Sequence, residues 1–401
     1  MNPTTAPVVN GKIQHSKGTP MFPAFEYRSP TRAVFGPGKM AELGNHAKQL
    51  GGTRALLVTD PGLEKAGHPQ KAVSVLEEAG LTVFVFDDVE ENPSSIHVQR
   101  GVDYASPLDI DLIVAVGGGS AMDCAKGINF LLTNGGIMSD YKGFGRAKLP
   151  MLPSIGVPTT AGTGSEAQSF ALIADASSHM KMACGDLKAA FHIAILDPEI
   201  TLSQPPKVAA LTGIDALAHA VEAYVCKKRN NVSMMFAHEA WRLLEPNLET
   251  VLRDPKNLDA RGSMQLGAFL AGTAIENSML GVCHSCANPL TAHYGLTHGL
   301  VIGILLPHVI RFNSKVVPEL YVELAKHVDS SANHRTAPDI LEQRIAEFMK
   351  LAGVSTSLSA YGVSEGILPL LAEEAACQWT AQFNPRTAGE DELLYLYQAA
   401  L

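Results

Sequence analysis

Asp111-Leu-Ile-Val-Ala-Val-Gly-Gly-Gly-Ser-Ala-Met-Asp123 decides the fold. After Asp111 its first residues are apolar without alternation, which suits a strand only where both faces of the sheet are covered. Three glycines then let the backbone approach a ligand closely, and a helical run, Cys124–Leu132, follows. Free amide groups at such a helix start bind phosphate. The motif is neither G-x-G-x-x-G nor a P-loop, because no Gly-Lys-Ser/Thr follows. Two readings stay open on these residues alone: a phosphate or dinucleotide cradle, and a tight strand-to-helix turn capped by Ser120.

Working outward, the same alternation extends over the first half of the chain. Short apolar runs at Ala55–Thr59, Thr82–Phe86, Ser154–Val157 and Ile193–Leu196 alternate with helical stretches such as Lys65–Ala79 and Ser95–Ala105. That order predicts a parallel sheet with helices on both faces. Beyond Asp197-Pro198 and Pro205-Pro206 strand-like runs largely stop. Helical patterns take over at Lys207–Lys227, Val232–Val251, Asp259–Asn277, Pro338–Ala352 and Ser364–Gln378. The expected organisation is a flexible leader at 1–25, an α/β dinucleotide-binding domain at 26–204 and a helical metal-binding domain at 205–401.

Composition agrees with about two compact domains: 401 residues, 46% apolar and 18% charged, leave room for large cores. The net charge is −9, with no basic run, which argues against nucleic acid and anionic membrane partners. No stretch of about 18 uninterrupted apolar residues occurs and the N-terminus lacks a signal-peptide core, so a soluble cytoplasmic protein is expected. Six cysteines are too few for a disulfide scaffold. Cys283 and Cys286 form a C-x-x-C, but no second pair follows, and small buried thiols explain it better than redox chemistry or zinc.

Further candidates for chemistry follow. Val157-Pro-Thr-Thr-Ala-Gly-Thr-Gly-Ser-Glu166 is dense in hydroxyls and glycine after an apolar strand, suited to pyrophosphate or ribose. Asp60 ends the early strand Arg54–Thr59, where a carboxylate accepts from a ribose diol and repels a 2′-phosphate, favouring NAD over NADP. In the helical half Asp215 and His219 stand four apart and share a helix face. His284 and His298 lie in apolar surroundings further on. One carboxylate and three imidazoles suit a divalent transition metal with an open position, while each histidine alone also fits a satisfied core or surface residue.

Together and in this order, these features resemble the iron-containing (group III) alcohol dehydrogenase family. The matching segments are Phe35-Gly-Pro-Gly38, Glu91-Asn-Pro-Ser94, Ala115–Ser120, Pro158–Thr163, Thr212–Glu222, Gly281–Pro289 and Thr297-His-Gly-Leu300 leading to Leu306-Pro-His308, and the resemblance covers the chain from about residue 25 to Leu393-Leu-Tyr-Leu-Tyr397. The resemblance implies an α/β N-terminal Rossmann-like domain plus an all-α C-terminal domain, the dehydroquinate synthase-like fold, with a metal in the cleft. It implies Asp215, His219, His284 and His298 as metal ligands, the last two catalytic through the metal. It implies Asp60, Asn92, Gly118, Gly119, Ser120, Thr159, Thr160, Thr163 and Lys181 as nucleotide contacts.

Two departures from the family pattern stand out. Asn288 replaces a histidine that many relatives carry one turn after the third ligand and that serves as a proton relay; Asn is neither acid nor base near pH 7. Protons then leave through water and the cofactor ribose, or His293 contributes. Phe170 stands where the lactaldehyde-reducing branch carries a polar residue, which implies a more apolar substrate pocket.

The expected activity is reversible NAD(H)-linked oxidation of a small alcohol to an aldehyde or ketone. The resemblance implies iron(II) as the ion, although zinc(II) binds such donors more tightly. A homo-oligomer, a dimer or higher, is also implied. Two rivals remain: a polyol or glycerol-type dehydrogenase, or a lyase, of the same superfamily; and a metal- or nucleotide-binding sensor without turnover. A phosphorylated substrate wants clustered cations, and Lys227-Lys228-Arg229 reads as a solvated face.

Overall fold

Six parallel strands form the main sheet: β1 (Arg32–Phe35), β2 (Arg54–Val58), β3 (Thr82–Phe86), β4 (Leu112–Gly117), β6 (Ser154–Pro158) and β9 (Ile193–Leu196), in the order β1-β9-β6-β4-β2-β3. The structure is a computed structural model and describes residues 24–178 and 180–401. Most of the leader expected at 1–25 therefore lies outside the described residues. The four strands β2, β4, β6 and β9 are almost wholly buried, as continuous apolar runs require.

Alternate residues of these strands feed two separate cores. Leu56, Val58, Ile113 and Ala115 face one way, towards α3 (Ser95–Ala105) and α4 (Gly119–Asn134). Ala55, Leu57, Leu112 and Val114 face the other, towards α1 (Leu43–Gln49) and α2 (His68–Glu78). A smaller sheet, β5 (Gly143–Phe144), β8 (Lys181–Gly185) and β7 (Phe170–Ala174), flanks the first, with β7 and β8 antiparallel. The sequence pattern does not single out β1, β7 or β8: β1 is a four-residue edge strand, and β7 and β8 are five-residue segments.

After β9 the chain is helical: α5 (Pro206–Val225), α6 (Asn231–Arg253), α7 (Leu258–Glu276), α8 (Val282–Tyr294), α9 (His298–Asn313), α10 (Pro318–Ala325), α11 (Ala337–Leu351), α12 (Leu368–Ala376) and α13 (Glu390–Ala400). The central helix α5 packs against α6, α7 and α9 and is buried from Gly213 to Val225. It is apolar and long enough to cross a membrane, with mean hydropathy 1.3, yet 89% of that window is buried inside the protein, as in a core helix. All six cysteines are free thiols, and Cys283 and Cys286 are buried in the helical core. Helix α4 starts at Gly119 with Gly118 as its N-cap, so Ser120 sits in the first turn and does not cap it.

Candidate active site

Three helices converge on the candidate metal ligands. Asp215 and His219 project from one face of α5, His284 comes from the first turn of α8, and His298 is the first residue of α9. The three imidazole Nε2 atoms of His219, His284 and His298 lie 3.4, 3.4 and 3.6 Å from Asp215 Oδ1. Asp215, His284 and His298 form the tightest set, with ligand atoms all within 4.8 Å of one another. The His219 ring stacks on that of His284 at 4.8 Å.

The electrostatics fit a cation. Asp215 Oδ1 and His284 Nε2 are buried and have no hydrogen-bond partner, a costly arrangement unless something positive lies between them. Burial works against the charge on Asp215, but the imidazoles of His219 and His298 win and hold its carboxyl well below the usual range. Burial, and the nearby Lys181 ammonium, keep His298 neutral far below the ordinary histidine range. A carboxylate with neutral imidazoles is a nitrogen–oxygen donor set for a divalent transition metal.

Sequence reasoning gave no role to Glu222, seven residues after Asp215 and so on the same side of α5. Its Oε2 accepts from His284 Nδ1 at 2.5 Å, and its Oε1 accepts from the Cys283 N–H at 2.8 Å. With Nδ1 protonated, Nε2 is the lone-pair nitrogen turned towards Asp215. With no cation present, burial opposes protonation of His284 but is outweighed by Glu222 and Asp215, which push it up to about 9, so a bound cation takes the place of the Nε2 proton. A buried glutamate two turns beyond Asp215 on an apolar helix was the available signal.

The same cavity, about 520 Å³, reaches the carboxyl ends of the parallel strands, where open α/β sheets bind ligands. Asn92, Gly118, Gly119, Ser120, Thr160, Thr163 and Lys181 line it together with the four metal-ligand candidates. Asp60 and Thr159 line an adjoining space of about 680 Å³, which shares Gly118, Ser120 and Thr160 with the first. Glycine at 119 is required by close approach, since a Cβ there would sit 2.6 Å from Thr163 Cγ2.

A buried ammonium on α4 fastens the hydroxyl loop. Lys126 Nζ donates to Ser165 O at 2.7 Å, Ser165 Oγ at 2.9 Å and Phe170 O at 2.8 Å, and Ser165 Oγ donates to Asp123 Oδ1 at 2.6 Å. Lys126 thereby joins the hydroxyl loop after β6 to the start of β7.

On the substrate side Phe170 lines the cavity, and Asn288 lines a smaller space next to His284 and His298. Asn288 Nδ2 donates to Gln378 Oε1 at 3.1 Å. His293 is a correction: it stands nine residues beyond His284, about half a turn away in helical phase, and faces Glu374 of α12, with Nε2 to Oε2 at 2.8 Å. It lines neither space.

Comparison with known proteins agrees with this geometry. Residues 30–198 match the family described as iron-containing alcohol dehydrogenase, and residues 209–401 match its C-terminal part. The chain is 36% identical over 381 residues to the 1,3-propanediol dehydrogenase of Citrobacter freundii, covering 94% of this chain and 98% of that one. It is 33% identical over 375 residues to the NAD-dependent methanol dehydrogenase of Bacillus methanolicus, covering 93% and 98%. Among solved structures, a 1,3-propanediol oxidoreductase superposes with a TM-score of 0.91 at 35% identity, covering 94% of this chain and all of that one.

Proposed function

The chain belongs to the iron-containing alcohol dehydrogenase family and is an alcohol dehydrogenase, and from that premise we propose that it moves hydride reversibly between a small alcohol and NAD(H), with iron(II) held by Asp215, His219, His284 and His298. The observation that carries this reading is the unpartnered pair Asp215 Oδ1 and His284 Nε2, lining the same cavity as the glycine turn. When bound, the ion supplies Lewis acidity to the substrate oxygen and the nicotinamide supplies the carbon that takes or gives the hydride.

The remaining work belongs to the chain itself. Glu222 fixes the tautomer and orientation of His284. The turn at Gly118 and Gly119 leaves amide groups at the start of α4 for phosphate, and the hydroxyls of Ser120, Thr160 and Thr163 stand around it. Asp60, in the adjoining space, suits a ribose diol and disfavours a 2′-phosphate, which supports NAD over NADP. Asn288 holds no titratable proton and His293 points away, so neither side chain takes the alcohol proton, and a bound cofactor's ribose hydroxyls together with water would offer it a way out.

Zinc(II) would compete for the same donors and bind more tightly. The exposed edge strand β1, with Phe35 on it, supports pairing between two copies of the chain. Six free thiols support a reducing, cytoplasmic setting. The test is His284→Ala, assayed for bound metal and for NADH formation after reconstitution with iron(II) and, separately, zinc(II). Loss of both metal and turnover is expected; activity retained without bound metal overturns the assignment.

A further inference from the structure

Next to His284 and His298 lies a space of about 80 Å³ whose walls are Phe170, Leu172, Ile275, Met279, Leu280 and Trp379. Gln168, Lys181, Glu276, Asn288, Gln378 and Thr380 are polar members of its lining, and three of them already have partners across the wall. Both oxygens of Glu276 accept from Ser169, from its N–H at 2.9 Å and its hydroxyl at 2.6 Å. Asn288 and Gln378 hydrogen-bond to each other.

Outward from that space runs a ladder of aromatic rings. Phe170 stacks on Trp379 at 5.6 Å on one side and lies 5.6 Å from Phe144 on the other. Phe144 and Trp379 are 56% and 39% exposed, a large apolar investment at the mouth of a cavity. Phe144 and Phe170 come from the small sheet, whereas Trp379 follows α12, so the ladder spans the two halves of the chain. Gly185 makes room for it: a Cβ there would lie 2.3 Å from Phe170 Cε1 and 2.8 Å from Phe144 Cδ2.

We propose that this ladder is a substrate-tail subsite, and that the preferred substrates are medium-chain or benzylic primary alcohols and the matching aldehydes rather than diols or polyols. The carbinol end lies at the histidine–aspartate cluster, and the tail passes Leu280 and Ile275 to rest against Phe170 and Trp379. This rests on the alcohol dehydrogenase reading and narrows its substrate class. Burying each added methylene against such walls raises kcat/KM about three- to four-fold, until the tail reaches open water beyond the rings.

The experiment uses the metal-loaded full chain and compares kcat/KM for ethanol, 1-butanol, 1-hexanol, benzyl alcohol and 1,3-propanediol. Stepwise increase to 1-hexanol is expected, with 1-butanol well above 1,3-propanediol. In Trp379→Ala the 1-hexanol to ethanol ratio falls at least tenfold, and Trp379→Phe restores most of it. A flat or falling series, preference for the diol, or an unchanged ratio in Trp379→Ala overturns the proposal. Tryptophan fluorescence is the second readout, because the chain's other tryptophan, Trp241, is fully buried. 1-Hexanol and benzyl alcohol should perturb the emission of the holoprotein and ethanol should not. Should no alcohol be oxidised at all, the activity reading fails separately, and an unresponsive Trp379 then overturns the tail subsite by itself.

Discussion

Glu222 reaches across from α5 to hold both the imidazole N–H of His284 and the backbone N–H of Cys283, with one carboxylate oxygen for each. One side chain thus sets the start of α8 and the direction of a metal-ligand nitrogen. This explains how a ligand in the first turn of a helix, where fraying is easiest, is kept in place.

Glu222→Gln keeps the shape but loses the charge and sets an amide N–H₂ against one of two donors. Metal affinity should fall about 10- to 100-fold, as for other partners of metal-bound histidines. Competition with a chelator of known affinity measures it. Unchanged affinity would show that His284 needs no orienting partner.

Gly119→Ala should weaken NADH binding about tenfold or more while leaving the metal content intact, because the added methyl meets Thr163 on the neighbouring loop and not the metal ligands. Titration by NADH fluorescence gives the dissociation constant. The double variant Gly119→Ala/Thr163→Ser removes the nearest carbon and should recover part of the loss; no recovery would place the effect elsewhere.

Lys126→Met should destabilise the fold by about 3 kcal/mol, the scale of removing one partner from a buried, hydrogen-bonded charge. Lys126 is 2% exposed and its three donors serve the segment from Ser165 to Phe170, so three acceptors lose their donor together. Urea denaturation of the wild type and variant checks the size. A loss under about 1 kcal/mol would mean that water replaces the ammonium.

Much of this was legible in the sequence because it is local. The glycine turn follows directly from an apolar strand, and Asp215 and His219 share a face at a spacing fixed by the helix. Asn288 is legible in the same way, four residues after His284. His293 fails by the same rule, since nine residues turn it to the opposite face of α8, where Glu374 of another helix meets it. Trp379 carries no local signal. Its place beside Phe170 depends on how the helices after α9 fold back onto the cleft, a contact between residues 209 positions apart. Lys126 is hidden for a similar reason: its acceptors are backbone and hydroxyl groups 39 and 44 residues away.

Glu166 gives the stability a pH dependence of definite sign. It is 3% exposed, and burial pushes its carboxyl from 4.5 up to about 7, with Lys126 opposing and Asp123 reinforcing the rise. Between those two values the unfolded chain has released the proton while the folded chain still holds it. The folded state therefore binds more protons, and its stability falls as pH rises through this window, then levels off above about 7. The contribution is about 3 kcal/mol at most. Glu166→Gln removes the titrating group, so the variant should gain on the wild type between pH 5 and pH 8 when both are unfolded in urea. A constant difference across that range would show that Glu166 is ionised throughout, held by the ammonium of Lys126.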